Sequence, residues 1–194
     1  MRKYLYLTRP EWCTVWAQGG TIPISLASSY LSNVRQETMT PDENTIHRSP
    51  VDITSLSTKG YHFENVRNLT FERNFNDGVE LPSFKNADFY KEDGLILSFC
   101  NRKSSAICSR LGKSACVAIY SIESLKDTID TQLGVEGLAG ICEYTADHQR
   151  NHFLKSMEDA WQDEFRLFWP QRESRIVTLP AGVARRVKVR TAGA

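Results

Sequence analysis

Gln162 and Glu164 stand two residues apart at the entrance to a run that ends strongly apolar, Phe165-Arg166-Leu167-Phe168-Trp169. In a strand, residues i and i+2 point to the same face. The spacing therefore predicts an amide and a carboxylate side by side, while Phe165 and Leu167 turn the other way into a core. Such a pair can hold the hydroxyls of a sugar and oppose positive charge developing on its anomeric carbon. That is the electrostatic logic of glycosyl transfer. A solvated strand edge produces the same triplet, so the pair gains meaning only from what the rest of the chain brings to it.

The chain has 194 residues, the length of one domain with a core of its own. Its 24 Lys and Arg nearly balance 23 Asp and Glu, so no global field draws it to nucleic acid or membrane. Basic residues do gather locally in Ala184-Arg185-Arg186-Val187-Lys188-Val189-Arg190. That run reads as a solvated tail or, alternatively, as an edge that contacts phosphates. Cys13, Cys100, Cys108, Cys116 and Cys142 form no C-x-x-C pair and have no histidine at ligand spacing. They read as buried free thiols, and no metal is expected. The opening Met1-Arg2-Lys3-Tyr4-Leu5-Tyr6-Leu7 is too short and too soon polar for a signal peptide, and no run reaches transmembrane length. The expectation is a reduced, cytoplasmic protein without a membrane partner.

The elements that must position the pair follow from pattern. Tyr4 to Leu7 is β-prone and leads into Thr8-Arg9-Pro10-Glu11, which has the spacing of a capping box. Trp12, Val15 and Trp16 recur at helical spacing, and Gly19-Gly20 stops that helix. Thr21 to Ile24 predicts a strand and Ser25 to Leu31 a helix. From Asn33 to about Asn86, Pro41, Pro50, Gly60, Gly78 and Pro82 break the pattern. A long irregular insertion with one or two weak strands is expected there, within one domain spanning 1–194. Gly94 to Cys100 is the clearest buried strand. Ser105 to Leu111 predicts a helix, Ala115 to Tyr120 a strand, and Ser121 caps a helix striped by Leu125, Ile129 and Leu133 and closed by Gly134. Leu138 to Tyr144, Ile176 to Leu179 and Val187 to Val189 supply later strands. Helices come early and strands late, so the fold class is α+β with a mostly antiparallel, split sheet.

Three features now stand in fixed order: Tyr6-Leu7-Thr8 leading into a helix, Leu97-Ser98-Phe99 within a buried strand, and Gln162-Asp163-Glu164 opening a late one. This order resembles the ADP-ribosyltransferase superfamily, whose members bind NAD in a cleft between two small sheets. The lead-in Tyr6-x-Thr8 with Gly19-Gly20 resembles the nucleic-acid-modifying toxins of that superfamily. The later part, from Ile96-Leu97-Ser98-Phe99 through Phe153-Leu154-Lys155 to Trp161–Arg166, is similar to a bacterial family found near phage-defence genes. The resemblance implies an ADP-ribosyltransferase-like split sheet with peripheral helices. It implies NAD as co-substrate and Glu164 as the carboxylate that steadies an oxocarbenium-like transition state. Gln162 would orient the acceptor. Ser98 would support Glu164, and Tyr6 and Thr8 would contact NAD. The first-strand His or Arg of the superfamily is absent unless Arg9 replaces it, and no Ser-Thr-Ser triplet surrounds Ser98.

The leading expectation is a toxin or defence effector that modifies a macromolecule, RNA or DNA before protein, and is held in check by an antitoxin. The alternatives are a catalytically inert binding module and an NAD glycohydrolase. Other candidates carry less. His148 and His152 have the i, i+4 spacing of a helical metal pair but lack a third ligand. Arg150, His152 and Lys155 read as a solvated helix face or a phosphate contact. Cys100 lacks an identifiable partner histidine.

Overall fold

The computed structural model describes residues 2–33 and 39–189. Met1, residues 34–38 of the insertion and Arg190 of the basic run lie outside the described residues. The chain begins with β1 (Lys3–Leu7), α1 (Trp12–Gln18) and β2 (Gly20–Leu26), then a 3₁₀ turn (Ala27–Tyr30). Next come β3 (Thr45–Arg48), a 3₁₀ segment (Ile53–Lys59), β4 (Val66–Phe71), β5 (Phe75–Asn76), β6 (Val79–Glu80) and β7 (Phe84–Lys91). β8 (Leu95–Cys100), α2 (Ser105–Arg110), β9 (Ala115–Ile119) and α3 (Ile122–Leu133) follow. The last part holds β10 (Leu138–Ile141), β11 (Glu143–Thr145), β12 (Leu154–Ser156) and a 3₁₀ turn (Met157–Gln162). β13 (Glu164–Trp169), β14 (Arg175–Leu179) and β15 (Ala184–Val187) complete it. Mixed helix and mostly antiparallel sheet agree with the α+β class.

β8 is the hinge of the main sheet. One of its edges pairs along its whole length with β13, from Glu164↔Cys100 to Trp169↔Leu95. The other edge is divided. β1 meets it at Tyr4↔Cys100, and β2 meets it at Ser25↔Ile96 and Leu26↔Leu95. The sheet thus forks at Ser98, which is paired only across to Arg166. Beyond the fork, β9 and β15 extend the β1 arm, β14 extends the β2 arm, and β10 lies outside β13.

The period of two sorts the residues of β8 and β13 between opposite faces. Leu95, Phe99, Leu167 and Trp169 join the main core, with Leu97 and Phe165 packed against it. Helices α1, through Cys13 and Trp16, and α3, through Leu125 and Ile129, cover this face. Fully burying a side chain such as Leu167 contributes about 1.5–3 kcal/mol. Both helices end as their sequences imply. Gly19 turns the chain at φ 89°, where a Cβ would come within 2.9 Å of the Ala181 backbone nitrogen. Ser121 caps α3 by accepting from the Ser124 amide, and Gly134 closes it in the left-handed conformation.

Three local expectations are corrected. The Thr8–Glu11 capping box does not form: α1 starts at Trp12, Glu11 occupies the cap position, and no side chain accepts there. The helix expected over Ser25 to Leu31 is the end of β2 plus a single 3₁₀ turn. The described residues of the insertion hold more than one or two weak strands. β3, β7 and β4 form a three-stranded sheet over a separate apolar cluster of Ile53, Leu56, Phe71, Leu81, Phe84 and Ala87.

Candidate functional site

The other face of β8 and β13 carries Ser98, Cys100, Glu164 and Arg166, and it lines a pocket of about 200 Å³ at the fork. Tyr4 and Tyr6 of β1, Tyr30, Glu43, Lys113, Lys155 and Gln162 help to enclose it. Gln162 and Glu164 do converge, though not as strand neighbours. Gln162 ends a 3₁₀ turn, and Asp163 then adopts φ 48°, a left-handed corner that Asp tolerates better than most residues. Asn101 fixes this corner, its backbone amide donating to the Asp163 carbonyl at 2.8 Å and its side-chain amide to Asp163 Oδ1 at 3.1 Å. The corner sends Glu164 into the sheet and leaves Gln162 beside it.

Lys155 joins the two. Its ammonium donates to Gln162 Oε1 at 3.0 Å and to Glu164 Oε2 at 2.8 Å. Arg166 holds the other oxygen, its Nε donating to Glu164 Oε1 at 2.5 Å. The same guanidinium donates to the His152 carbonyl at 3.0 Å and is paired with Glu43. Glu43 also accepts from the Thr40 hydroxyl at 2.8 Å and lies 3.8 Å from Lys155. Two carboxylates and two cations are therefore buried together, with Glu164 4% exposed and Arg166 1%.

The charges hold one another in place. Burial alone would raise the pKa of Glu164, but Arg166 and Lys155 outweigh it and keep the carboxyl well below the usual range. Burial likewise pulls Lys155 down, but Glu164 foremost, with Glu43, brings its net shift upward. The Arg166 pKa also rises, because Glu164 and Glu43 overcome its desolvation. Glu164 is thus an ionised carboxylate with both oxygens already accepting one strong bond. Oε2 has a second, longer contact from Arg166 Nη2 at 3.4 Å, so Oε1 is the oxygen with capacity for a further donor.

The remaining candidates fall on both sides of the pocket wall. Ser98 lines the pocket at the fork but stands opposite Arg166, not Glu164. Tyr6 lines it too, and its hydroxyl is engaged by backbone groups. That hydroxyl accepts from the Ser104 amide at 2.6 Å and donates to the Arg102 carbonyl at 3.2 Å. Burial, despite the Ser104 bond, pushes the phenol pKa up. Thr8 is exposed, is not among the pocket-lining residues, and its hydroxyl accepts from Lys113 at 3.0 Å. Cys100 lines the pocket as a thiol whose pKa burial, and then Glu164 and Asp163, push up to about 12. It is no nucleophile at neutral pH. All five cysteines are free and buried.

The sequence reading missed Glu43 and Arg166 and misplaced Lys155. None of Arg150, His152 and Lys155 lies on a solvated helix face. Arg150 bonds Asp42 at 2.6 Å, and His152 stacks on Phe168 with ring centroids 3.7 Å apart and pairs with Glu92 at 3.0 Å. Nor do His148 and His152 form a pair, because His148 faces His47, with ring centroids 4.7 Å apart. Among the described residues, no group of three or more His, Cys, Asp and Glu side chains is placed to hold a metal ion, and no helix is long and apolar enough to cross a membrane. The one available signal was alternation itself: Arg166 follows Glu164 by two. Comparison of the chain with protein-family models, with curated proteins and with solved structures finds no match.

Proposed function

We propose that this chain is an NAD-dependent ADP-ribosyltransferase of the toxin or defence type, acting on a nucleic acid in preference to a protein. The observation that carries the reading is the buried charged cluster around Glu164, opening on a pocket at the fork of the sheet. Buried ion pairs are weak contributors to stability, since apolar replacements of equal volume often do as well. Their placement around one perturbed carboxylate in a concave site favours a chemical role.

In this reading the nicotinamide riboside end of NAD enters the pocket among Tyr4, Tyr6 and Tyr30, with Ser98 at its floor. A ribose hydroxyl donates to Glu164 Oε1, the oxygen that accepts one bond within the protein. The acceptor nucleophile attacks the anomeric carbon as its bond to nicotinamide breaks. Nicotinamide leaves with the bonding electrons, and the acceptor releases a proton. Glu164 opposes the positive charge on the sugar, which such groups do for a few kcal/mol of barrier. Lys155 holds Glu164 and Gln162 in one geometry, so that Gln162 can meet the incoming acceptor. Thr8, outside the pocket, has no part in this scheme. An effector of this kind that stays in its own cell needs a neutralising protein partner, which belongs to the proposal.

One observation favours a second reading, a catalytically inert binding module. Lys155 and Arg166 together balance the charges of Glu164 and Glu43, which weakens the field that a developing cation would meet. Incubation with labelled NAD and cell extract separates the possibilities. Label in RNA or DNA supports the transferase, nicotinamide release without labelling indicates a glycohydrolase, and neither supports the inert module.

A further inference from the structure

Beside the pocket, but separate from its charged cluster, lies a second hollow of about 810 Å³. Its lining is Lys103, Ser105, Ser114, Ala115, Arg186, Val187, Lys188 and Val189, which brings three cations together and no carboxylate. All three cations are exposed, and among the described residues none of them has an ion-pair partner. The contrast with the pocket is plain: there each buried cation is matched by an acid, whereas here no described carboxylate is paired with the three cations.

The two hollows share a wall. Lys113 lines the pocket and the next residue, Ser114, lines the groove. Lys103 stands between Arg102 and Ser104, the two residues whose backbones bond the Tyr6 hydroxyl. Val187 and Val189 of the groove pack in the same cluster as Tyr6 and Leu111. The two hollows are thus built on adjoining residues of the same segment.

We propose that the groove formed by Lys103, Arg186 and Lys188 is a phosphodiester rail that seats a single-stranded nucleic acid and delivers one of its nucleotides to the pocket. The inference rests on the transferase reading for its purpose, but the binding itself does not depend on catalysis. The lining argues for phosphates: three long cationic side chains supply charge and donors along one hollow. An acidic peptide has no base to present to the acceptor side of the neighbouring pocket, where Gln162 stands.

The test is fluorescence anisotropy with a labelled single-stranded oligonucleotide, as DNA and as RNA, without NAD and at several salt concentrations. A polyglutamate peptide carrying the same label is the competing ligand. Three single-strand phosphate contacts predict a log–log salt slope of about −2, or roughly 20-fold weaker binding between about 50 and 200 mM salt. Lys103→Ala/Arg186→Ala/Lys188→Ala should remove most of that slope and weaken binding at low salt by about tenfold or more. Lys59→Ala, an exposed lysine of the insertion, should leave it unchanged. Binding is read without NAD, which separates the rail from the chemistry, so either can fail alone. Oligonucleotide binding that ignores the triple substitution overturns the inference, as does tighter binding of polyglutamate, and thermal unfolding of the triple variant confirms that it is folded.

Discussion

The two faces of the β8–β13 pair are built from alternate residues of the same two strands, yet they obey opposite rules. On one face Leu95, Phe99, Leu167 and Trp169 are buried against apolar neighbours. On the other, Glu164 and Arg166 are just as buried among charges. The apolar face is held by dispersion and exclusion of water, which are tolerant of detail. The polar face is held by a few directional pairs, each of which leaves a buried charge behind if broken. A fold that needs only stability has little use for the second kind of face.

The sharpest way to break this comparison is Arg166→Met. It strands Glu164 and Glu43 in a buried place, so it should cost about 3–5 kcal/mol in chemical denaturation. Adding Glu43→Gln to it should recover much of that loss, because Glu164 then keeps a balanced pair with Lys155, which a merely bulky core arginine would not allow. Leu167→Ala probes the opposite face and should cost about 2–5 kcal/mol through the cavity it leaves, with no such rescue by its polar neighbours.

A smaller effect concerns the seam between the insertion and the main sheet. His47 bonds Arg150 through both backbone groups, and its ring packs on His148. Burial first, then His148, lowers the His47 pKa; burial also lowers that of His152, against the pull of Glu92. A folded pKa below the unfolded value near 6.5 means that the unfolded chain binds protons first as pH falls. Stability should therefore be fully present above about pH 6.5 and decline below it. Thermal unfolding across pH 5 to 7.5 should show this decline, and His47→Gln should flatten it. Because Glu43 precedes β3, loosening of the seam would reach Arg166.

The smallest effect expected is that of Thr8→Ala. An exposed threonine outside the pocket should change stability by no more than about 0.5 kcal/mol. It should leave any NAD-dependent thermal shift intact, while Ser98→Ala reduces it. A large loss with Thr8→Ala would mean that NAD reaches across Lys113, toward the first helix.

What was legible in the sequence follows the same division. The apolar face of β13 announced itself through Phe165 and Leu167, and β8, α3 and both of its ends were readable from local pattern. Glu164 and Gln162 were visible because they interrupt that pattern. Arg166 was not, because an arginine in a strand reads as exposed until a distant acid, Glu43, is placed against it. Lys155 sits on a three-residue strand, too short to show a period, and it pairs in parallel with Tyr144, a connection that local pattern does not reveal. The insertion was obscured by its own irregularities: β4 pairs with β7 through register shifts, and Asn68 and Asn86 adopt positive φ. Its alternation is cut into pieces that look like loops.

The central claim is that Glu164 opposes the charge of a breaking nicotinamide–ribose bond. Nicotinamide release and label transfer from NAD, measured side by side for the parent chain and for folded Glu164→Gln, test it most directly. The account predicts that both readouts in the parent exceed those in the variant by two to three decades, for a loss of about 3–4 kcal/mol of barrier stabilisation. Equal release by the two proteins, or none by the parent, would contradict it.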